Sequence, residues 1–202
     1  MPFVLILVLC LCAPLLAAKT PAVAPRLPAA PRHRVVAADF VQIRHLAELD
    51  MDVESRGKMV SELDGRVRWQ VDSPVASVTL IDSEKLLHYD GETGKTAVIE
   101  LDKFPWLALL REALNDWFSG DPKRLAERFD VTSPWPEILR LVPREAGLKK
   151  LCRQVDITFS VADGTISRIV ITENAGDTLE MRFSKVATDP ELPPSTWRMP
   201  ER

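Results

Sequence analysis

Three side chains near the middle of the chain are of the types that could form a hydrolytic site. Ser83, His88 and Asp90 could act as nucleophile, base and orienting acid. A hydrolase of the Gly-x-Ser-x-Gly kind presents its serine on a sharp turn, and Ser83 lies in no such motif. Alternation along a strand puts His88 on the face opposite to Leu87 and Tyr89, which we expect to be the solvent-facing side. We therefore predict that the protein is not an enzyme.

The other residues that could do chemistry are scattered along the chain. His33, His45 and His88 lack the short spacings of a metal site, so we expect neither a metal nor another cofactor. Cys152 follows a leucine and has no histidine near it in sequence. This setting favours an ordinary buried or half-buried cysteine over a catalytic thiol.

Composition and charge limit the class of protein. The 202 residues are 46% hydrophobic and 27% charged, with a formal net charge of −3. These values suit one globular domain. A nucleic-acid-binding protein would need a basic stripe interleaved with aromatic residues, so we expect no nucleic-acid partner.

The first part of the chain differs in composition from the rest. Residues 4–16 are almost wholly apolar and precede two alanines, which is typical of a signal peptide and too short to span a bilayer. We therefore predict that residues 1–18 direct export and are removed. Residues 19–34 contain four prolines and no apolar periodicity, which predicts an extended arm. The folded domain is then 35–202, and with Cys152 as its one cysteine it must rely on its core.

That domain has the pattern of short strands interrupted by a helical pair. Residues 35–46 fit either a helix or a strand, whereas apolar residues at helical spacing over 104–120 predict an amphipathic helix. Asp121-Pro122 predicts the start of a second, short helix ending at Phe129. The predicted strands are 53–60, 65–74, 75–81, 86–89, 96–101, 138–142, 155–161, 166–172 and 178–183. The fold class is therefore α+β, mainly antiparallel β.

One strand raises the question of function. In "GRVRWQVDSP" (residues 65–74), Val67, Trp69 and Val71 share one face, and the other face is polar. The apolar face must cover either the protein's own core or a ligand. Gly57 in the preceding strand predicts a bulge or a close approach of two backbones.

The order of several residues resembles that of the periplasmic lipoprotein carriers of the LolA type. The shared residues are Phe40-Val41-Gln42, Gly57, Trp69, Pro74, Asp82 and Tyr89-Asp90, then Leu141-Val142-Pro143, Asp163-Gly164-Thr165-Ile166, Phe183 and the segment 197–200. The stretch "FVQIRHLAELD…ESRGKM" is closest to a divergent branch of that family. The resemblance covers residues 35–200.

The resemblance implies a half-open antiparallel β-barrel whose apolar interior is closed by a helical lid. It implies a monomeric periplasmic carrier in a Gram-negative cell. Such a carrier takes a lipoprotein or another acylated lipid from an inner-membrane ABC transporter and passes it towards an outer-membrane acceptor. The cavity residues would be Val67, Trp69, Val71, Val78, Leu80, Leu87, Tyr89, Ile157, Phe159, Ile169, Ile171, Met181 and Phe183, and the lid residues would be Trp106, Leu107, Leu110, Leu114, Trp117 and Phe118.

One feature of the family pattern is missing from this chain. Where the resemblance places a latching arginine followed by proline, this sequence has Leu63 and Asp64. The latch is therefore absent or is replaced by Arg66 or Arg68.

A second class of function fits the same sequence. The apolar face could be core alone, in a non-catalytic structural or adaptor domain of the cell envelope. A lid over a core and a lid over a ligand have the same amphipathic pattern, so the sequence leaves both interpretations open.

Overall fold

Eleven antiparallel strands form one sheet in the computed structural model, which describes residues 33–63, 65–103, 112 and 122–200. The strands are β1 (Val35–Leu46), β2 (Met51–Glu62), β3 (Val67–Ser73), β4 (Ser77–Ile81), β5 (Lys85–Asp90), β6 (Lys95–Glu100), β7 (Phe129–Trp135), β8 (Ile138–Pro143), β9 (Gln154–Phe159), β10 (Ile166–Thr172) and β11 (Thr178–Thr188). Their order across the sheet is β6-β5-β4-β3-β2-β1-β11-β10-β9-β8-β7. Residues 35–46, which the sequence left ambiguous, are a strand.

Two predicted turns are confirmed and show why the hairpins form. Between β5 and β6, the Asp90 carboxylate accepts hydrogen bonds from the backbone N–H groups of Glu92 and Thr93, each at 2.9 Å. Gly94 then adopts a positive φ of 63°. Between β9 and β10, Asp163 accepts the N–H of Thr165 at 3.1 Å. These short polar bonds stabilise the chain reversals that bring neighbouring strands together.

Besides the helical Glu112, the described residues include two α-helices, both in the second half of the chain. The helices are α1 (Pro122–Arg128) and α2 (Ala146–Leu151), with 3₁₀ turns at Leu101–Lys103 and Pro194–Trp197. The sequence predicted α1 but neither α2, which is too short to show a period, nor β7. β7 contains Pro134, and it lies at the edge of the sheet, where a residue without an N–H is tolerated.

The sheet is curved, and in the described part of the chain it does not close. Its two edges, β6 and β7, are not paired with each other. Trp69 on β3 packs against a hydrophobic cluster drawn from β7 to β11 and both helices. The nearest of those strands, β11, is three strand spacings away, about 14 Å in a flat sheet. The contact therefore requires the sheet to curl, which confirms the half-open barrel.

The inner face of the sheet is the side that carries Trp69, and helices cover one half of it. Leu125 of α1 and Leu148 of α2 are buried in the same cluster as Leu141, Val155 and other inner-face residues of β7 to β11. Most of these side chains have almost no exposed surface. The helices thus convert this half of the curved sheet into a conventional packed core.

The residues predicted to form the lid lie outside the described residues: Trp106, Leu107, Leu110, Leu114, Trp117 and Phe118. Within their range the structure describes Glu112, which is helical. Its carboxylate forms an ion pair with Arg128 at the end of α1.

The C-terminal segment lies against the outer face of β3. Arg68 Nη1 donates hydrogen bonds to the carbonyl oxygens of Thr196 and Arg198, both at 3.0 Å. The guanidinium of Arg66 stacks on the ring of Trp197, 4.7 Å from its centre. Both arginines are therefore engaged with the C-terminal segment, on the face opposite to Trp69.

Ion pairs run along the outer face of the second half of the sheet. Arg140 contacts Asp156 with two hydrogen bonds of 2.8 and 2.9 Å. The Nε groups of Arg168 and Arg182 both donate to one carboxylate oxygen of Glu180 at 2.6 Å. The bond from Arg168, followed by that from Arg182, lowers the pKa of Glu180 from 4.5 to about 2.

Glu180 should make the protein sensitive to acid. Its pKa is lower in the folded state, so its stabilisation is complete above pH 4.5 and is lost as the pH falls towards 2. We expect about 1–2 kcal/mol, less than the full shift implies, because solvent screens the two partly exposed arginines. Urea unfolding at a series of pH values measures this loss, and Glu180→Gln should flatten it. An equally steep loss in the variant would contradict the assignment to Glu180.

Candidate functional site

Within the described part of the chain, the inner face of β3 to β6 is the half that neither α1 nor α2 fills. The strand register fixes which side chains share this face, because directly opposed residues of antiparallel strands point the same way. We call it the open face, and its three rows are Val67–Ile81–Leu86–Ile99, Trp69–Thr79–His88–Ala97 and Val71–Ser77–Asp90–Lys95. The first row is wholly apolar, the second is mixed and the third is mostly polar.

Trp69 joins the open face to the packed half. Its ring stacks on Phe40 with centres 4.0 Å apart and an angle of 26° between the planes. It also packs against both hydrophobic clusters of the protein while remaining only partly buried. The apolar side of β3, which raised the question of function, therefore packs in part against the protein's own core and forms part of the open face.

The structure brings nine of the predicted cavity residues onto the inner face: Val67, Trp69, Val71, Ile157, Phe159, Ile169, Ile171, Met181 and Phe183. They fall into two groups. Ile157, Phe159, Ile169 and Met181 are buried members of the packed core. Val67 is buried as well, at the start of β3. The second group, which is only partly buried, consists of Trp69, Val71, Ile171 and Phe183. A ligand that enters without unpacking the core would therefore meet the partly buried group.

The prediction that the other four belong to the same cavity is wrong. Val78, Leu80, Leu87 and Tyr89 lie on the outer face, because β4 pairs with β3 so that Leu80 is opposite Arg68. Val78 and Leu80 are nevertheless 5% and 7% exposed. The outer face of β4 is thus almost completely covered, whereas the inner-face residues Ser77, Thr79 and Ile81 are only partly buried, and the more apolar set of side chains points outward.

The expectation that His88 faces solvent is also wrong, because the register of β4 and β5 decides which face it lies on. The register places it on the open face, beside Thr79 and in the row of Trp69, rather than on the solvent side. Its Nδ1 lies 2.9 Å from Thr79 Oγ1. Asp90 is engaged by the turn, where the Thr93 N–H lowers the pKa of its carboxylate, and Ser83 is exposed. The three residues considered for hydrolysis are therefore not arranged as a triad.

Cys152 is buried in the packed core. Burial, and secondarily the charge of Glu173, raises the pKa of its thiol to about 11. A thiol that stays protonated at neutral pH is a poor nucleophile. Its placement matches the expectation of a structural cysteine.

Neither a metal site nor a membrane-spanning helix is found among the described residues. No three or more of their His, Cys, Asp and Glu side chains gather where they could hold a metal ion. None of the helices in that part of the chain has the length and apolar character needed to cross a membrane.

Sequence reasoning missed most of the open face, since Val67, Trp69 and Val71 are its only members among the predicted cavity residues. Thr79, Ile81, Leu86 and Ile99 were not among the predicted site residues. The apolar pairs that they form across strands are visible only when the register is known. In "KLLHYD" and "KTAVIE", Leu86 and Ile99 stand next to Leu87 and Val98, so these strands carry no clear alternation that would have identified the inner set.

Comparisons with known proteins agree with this architecture. The family model of the outer membrane lipoprotein carrier protein LolA matches residues 32–199. An outer-membrane lipoprotein carrier protein of Pseudoalteromonas translucida is 19% identical over 149 residues, which are 72% of this chain and 66% of that relative, just under two thirds of its length.

Two solved structures align with most of this chain. An uncharacterized conserved protein of Thermus thermophilus aligns with a TM-score of 0.50 and 12% identity, over 84% of this chain and 87% of its own. A LolA superfamily protein of Nitrosomonas europaea aligns with a TM-score of 0.47 and 10% identity, over 84% and 92% of the two chains. The family match spans most of the sequence, including every strand described above. The chain therefore belongs to the LolA family of outer membrane lipoprotein carrier proteins.

Proposed function

We propose that this protein is a periplasmic carrier whose open face binds the acyl chains of a lipoprotein or a related lipid. It would receive that cargo from an inner-membrane donor such as an ABC transporter and deliver it towards an outer-membrane acceptor. It would act as a monomer, without catalysis or a cofactor, after export and removal of residues 1–18. Family membership supports the class of function, and the geometry of the inner face supports the location of the site.

The observation that carries the proposal is the contrast between the two halves of the inner face. Across β7 to β11 the apolar side chains are sealed beneath Leu125 and Leu148. Across β3 to β6, Ile81, Leu86 and Ile99 form an apolar row and keep part of their surface accessible. A fold that needed only a core would gain by sealing both halves. A partly accessible apolar row beside a sealed one is what a reversible lipid site requires.

The energetics of such a site suit a carrier. Each methylene group removed from water contributes about 0.8 kcal/mol, so burial of ten methylenes contributes about 8 kcal/mol. The loss of translational freedom and the ordering of the chain reduce this gain. Since a net free energy of about 8 kcal/mol would correspond to a micromolar Kd, the reduced gain corresponds to weaker binding, which allows the acyl chain to be transferred.

A titration of the wild-type protein with 1-monopalmitoylglycerol tests the proposal. We expect heat of binding in calorimetry and a rise in Tm, because a ligand at a hundred times its Kd stabilises the folded state by about 2.7 kcal/mol. The matched control is 1-monobutyrylglycerol, which has the same headgroup and a short chain and should produce neither signal. If the palmitoyl compound also leaves heat and Tm unchanged, the open face is not an acyl site and the adaptor hypothesis is favoured.

A further inference from the structure

The open face changes from apolar to polar across its three rows. At one end lie Ile81, Leu86 and Ile99, and at the other lie Ser77, Asp90 and Lys95. Between them the middle row carries one polar pair, Thr79 and His88. An acyl lipid has the same sequence of chemistry: a hydrocarbon chain, then a carbonyl at the ester or amide, then a polar headgroup.

We propose that His88, oriented by Thr79, donates a hydrogen bond to the ester carbonyl of the cargo's diacylglyceryl group. This inference rests on the proposed function and adds a direction to it. The chain lies over the apolar row, and the headgroup lies towards Asp90 and Lys95. His88 thus becomes a specificity-determining residue that distinguishes an acylated lipid from a plain hydrocarbon.

The geometry of the pair supports this role. Thr79 is directly opposite His88, and its hydroxyl oxygen lies 2.9 Å from Nδ1 of the ring. With the threonine hydroxyl donating to Nδ1, the neutral ring carries its hydrogen on Nε2. Among the described residues, no hydrogen-bond partner of Nε2 is found. The ring is therefore held in place at one nitrogen and can donate with the other.

The surroundings of His88 make the Nε2–H donor important for lipid affinity. Trp69 is the next residue of the same row, and both members of the pair are only partly buried. A lipid covering this row would remove His88 from water, and a donor left without a partner would then weaken binding. An ester carbonyl satisfies it, whereas an ether oxygen without a carbonyl is a poorer acceptor. The site should therefore prefer esters.

The test compares two lipids of the same chain length, 1-monopalmitoylglycerol and 1-O-hexadecylglycerol, which lacks the carbonyl. We expect the wild-type protein to bind the ester about five- to tenfold more tightly, the size of one hydrogen bond. His88→Phe should abolish this preference while retaining affinity for the ether. Tyr89→Phe, at the adjacent position on the outer face, should behave as the wild type.

Thr79→Val provides a second variant that keeps the shape and β-branching of the side chain. It should lose part of the ester preference, because the imidazole ring loses the bond that orients it. Equal binding of ester and ether by the wild type, or an unchanged preference in both His88→Phe and Thr79→Val, would overturn the inference while leaving the carrier function in place. If neither lipid binds, both the inference and the proposed carrier function are overturned.

A further pair of probes identifies the source of the ester. A dipalmitoyl-S-glyceryl-cysteine peptide represents a lipoprotein, and dipalmitoyl phosphatidylglycerol represents a membrane lipid. A loss of affinity in His88→Phe for either probe supports the inference, and the tighter binder in the wild type shows which source the site favours. Unchanged affinity of His88→Phe for both probes contradicts it.

Discussion

Replacement of Ile99 by glutamate is expected to abolish binding of 1-monopalmitoylglycerol. Ile99 closes the apolar row of the open face, directly opposite Leu86, and is partly accessible. A carboxylate at this position has no basic partner on the apolar row, and a bound acyl chain would exclude the water that solvates it. Because burial of an unpaired charge costs several kcal/mol, affinity should fall by at least about a hundredfold.

The same strand offers a matched control. Val98 is the adjacent residue on β6, is 60% exposed and lies on the outer face opposite Leu87. Val98→Glu introduces the same side chain into the same edge strand, yet should bind the lipid as the wild type does. Calorimetric titration of both variants, with circular dichroism to confirm folding, makes the comparison. Equal affinities of the two variants would place the acyl site elsewhere than on the open face.

Gly57→Ala is expected to destabilise the protein by about 3 kcal/mol or more, which is a large part of the stability of an ordinary domain. A Cβ at this position would lie 1.8 Å from the carbonyl oxygen of Gln70 and 2.9 Å from Cα of Val71. Both atoms belong to the backbone of β3, so no side-chain rotation can relieve the overlap. Gly57 is also next to a register shift between β2 and β3, which confirms the predicted close approach.

Urea unfolding followed by circular dichroism and tryptophan fluorescence measures this effect. Phe40 is directly opposite Gly57 and stacks on Trp69, so displacement of β3 should also alter the emission of Trp69 in the folded state. Lys58→Ala is the control, since Lys58 is the next residue and is exposed. It should change stability by no more than about 0.5 kcal/mol. Similar midpoints for the two variants would show that the sheet accommodates the extra carbon at no cost.

Local chemistry in the sequence was enough for much of this fold. Asp90 and Asp163 form hairpin turns with their own neighbouring N–H groups, so their role depends on few distant residues. The alternation of charged and apolar residues in β10 and β11 likewise predicts antiparallel strands with one wet face. The ordered set of family residues, from Phe40 to the C-terminal segment, indicated the half-open barrel and the family itself.

The site was less predictable, because β4 carries apolar residues at positions that point to both faces of the sheet. Val78 and Leu80 are more apolar than Thr79, so sequence alone favoured them as the inner set. The pairing of Arg68 with Leu80 reverses that choice. A shift of one residue in register exchanges the two faces of a strand, and register depends on the partner strand and on the turn between them.

The sequence by itself determined that the chain forms short antiparallel strands, where they turn and which family they belong to, because these properties follow from neighbouring residues or from their order. Only the tertiary structure decided which side chains meet across the sheet. The packing of α1 and α2 seals one half of the inner face, and the C-terminal segment held by Arg68 covers part of the outer face. Both contacts join residues far apart in the chain. No local pattern could therefore show that His88, and not Tyr89, shares the open face with Trp69.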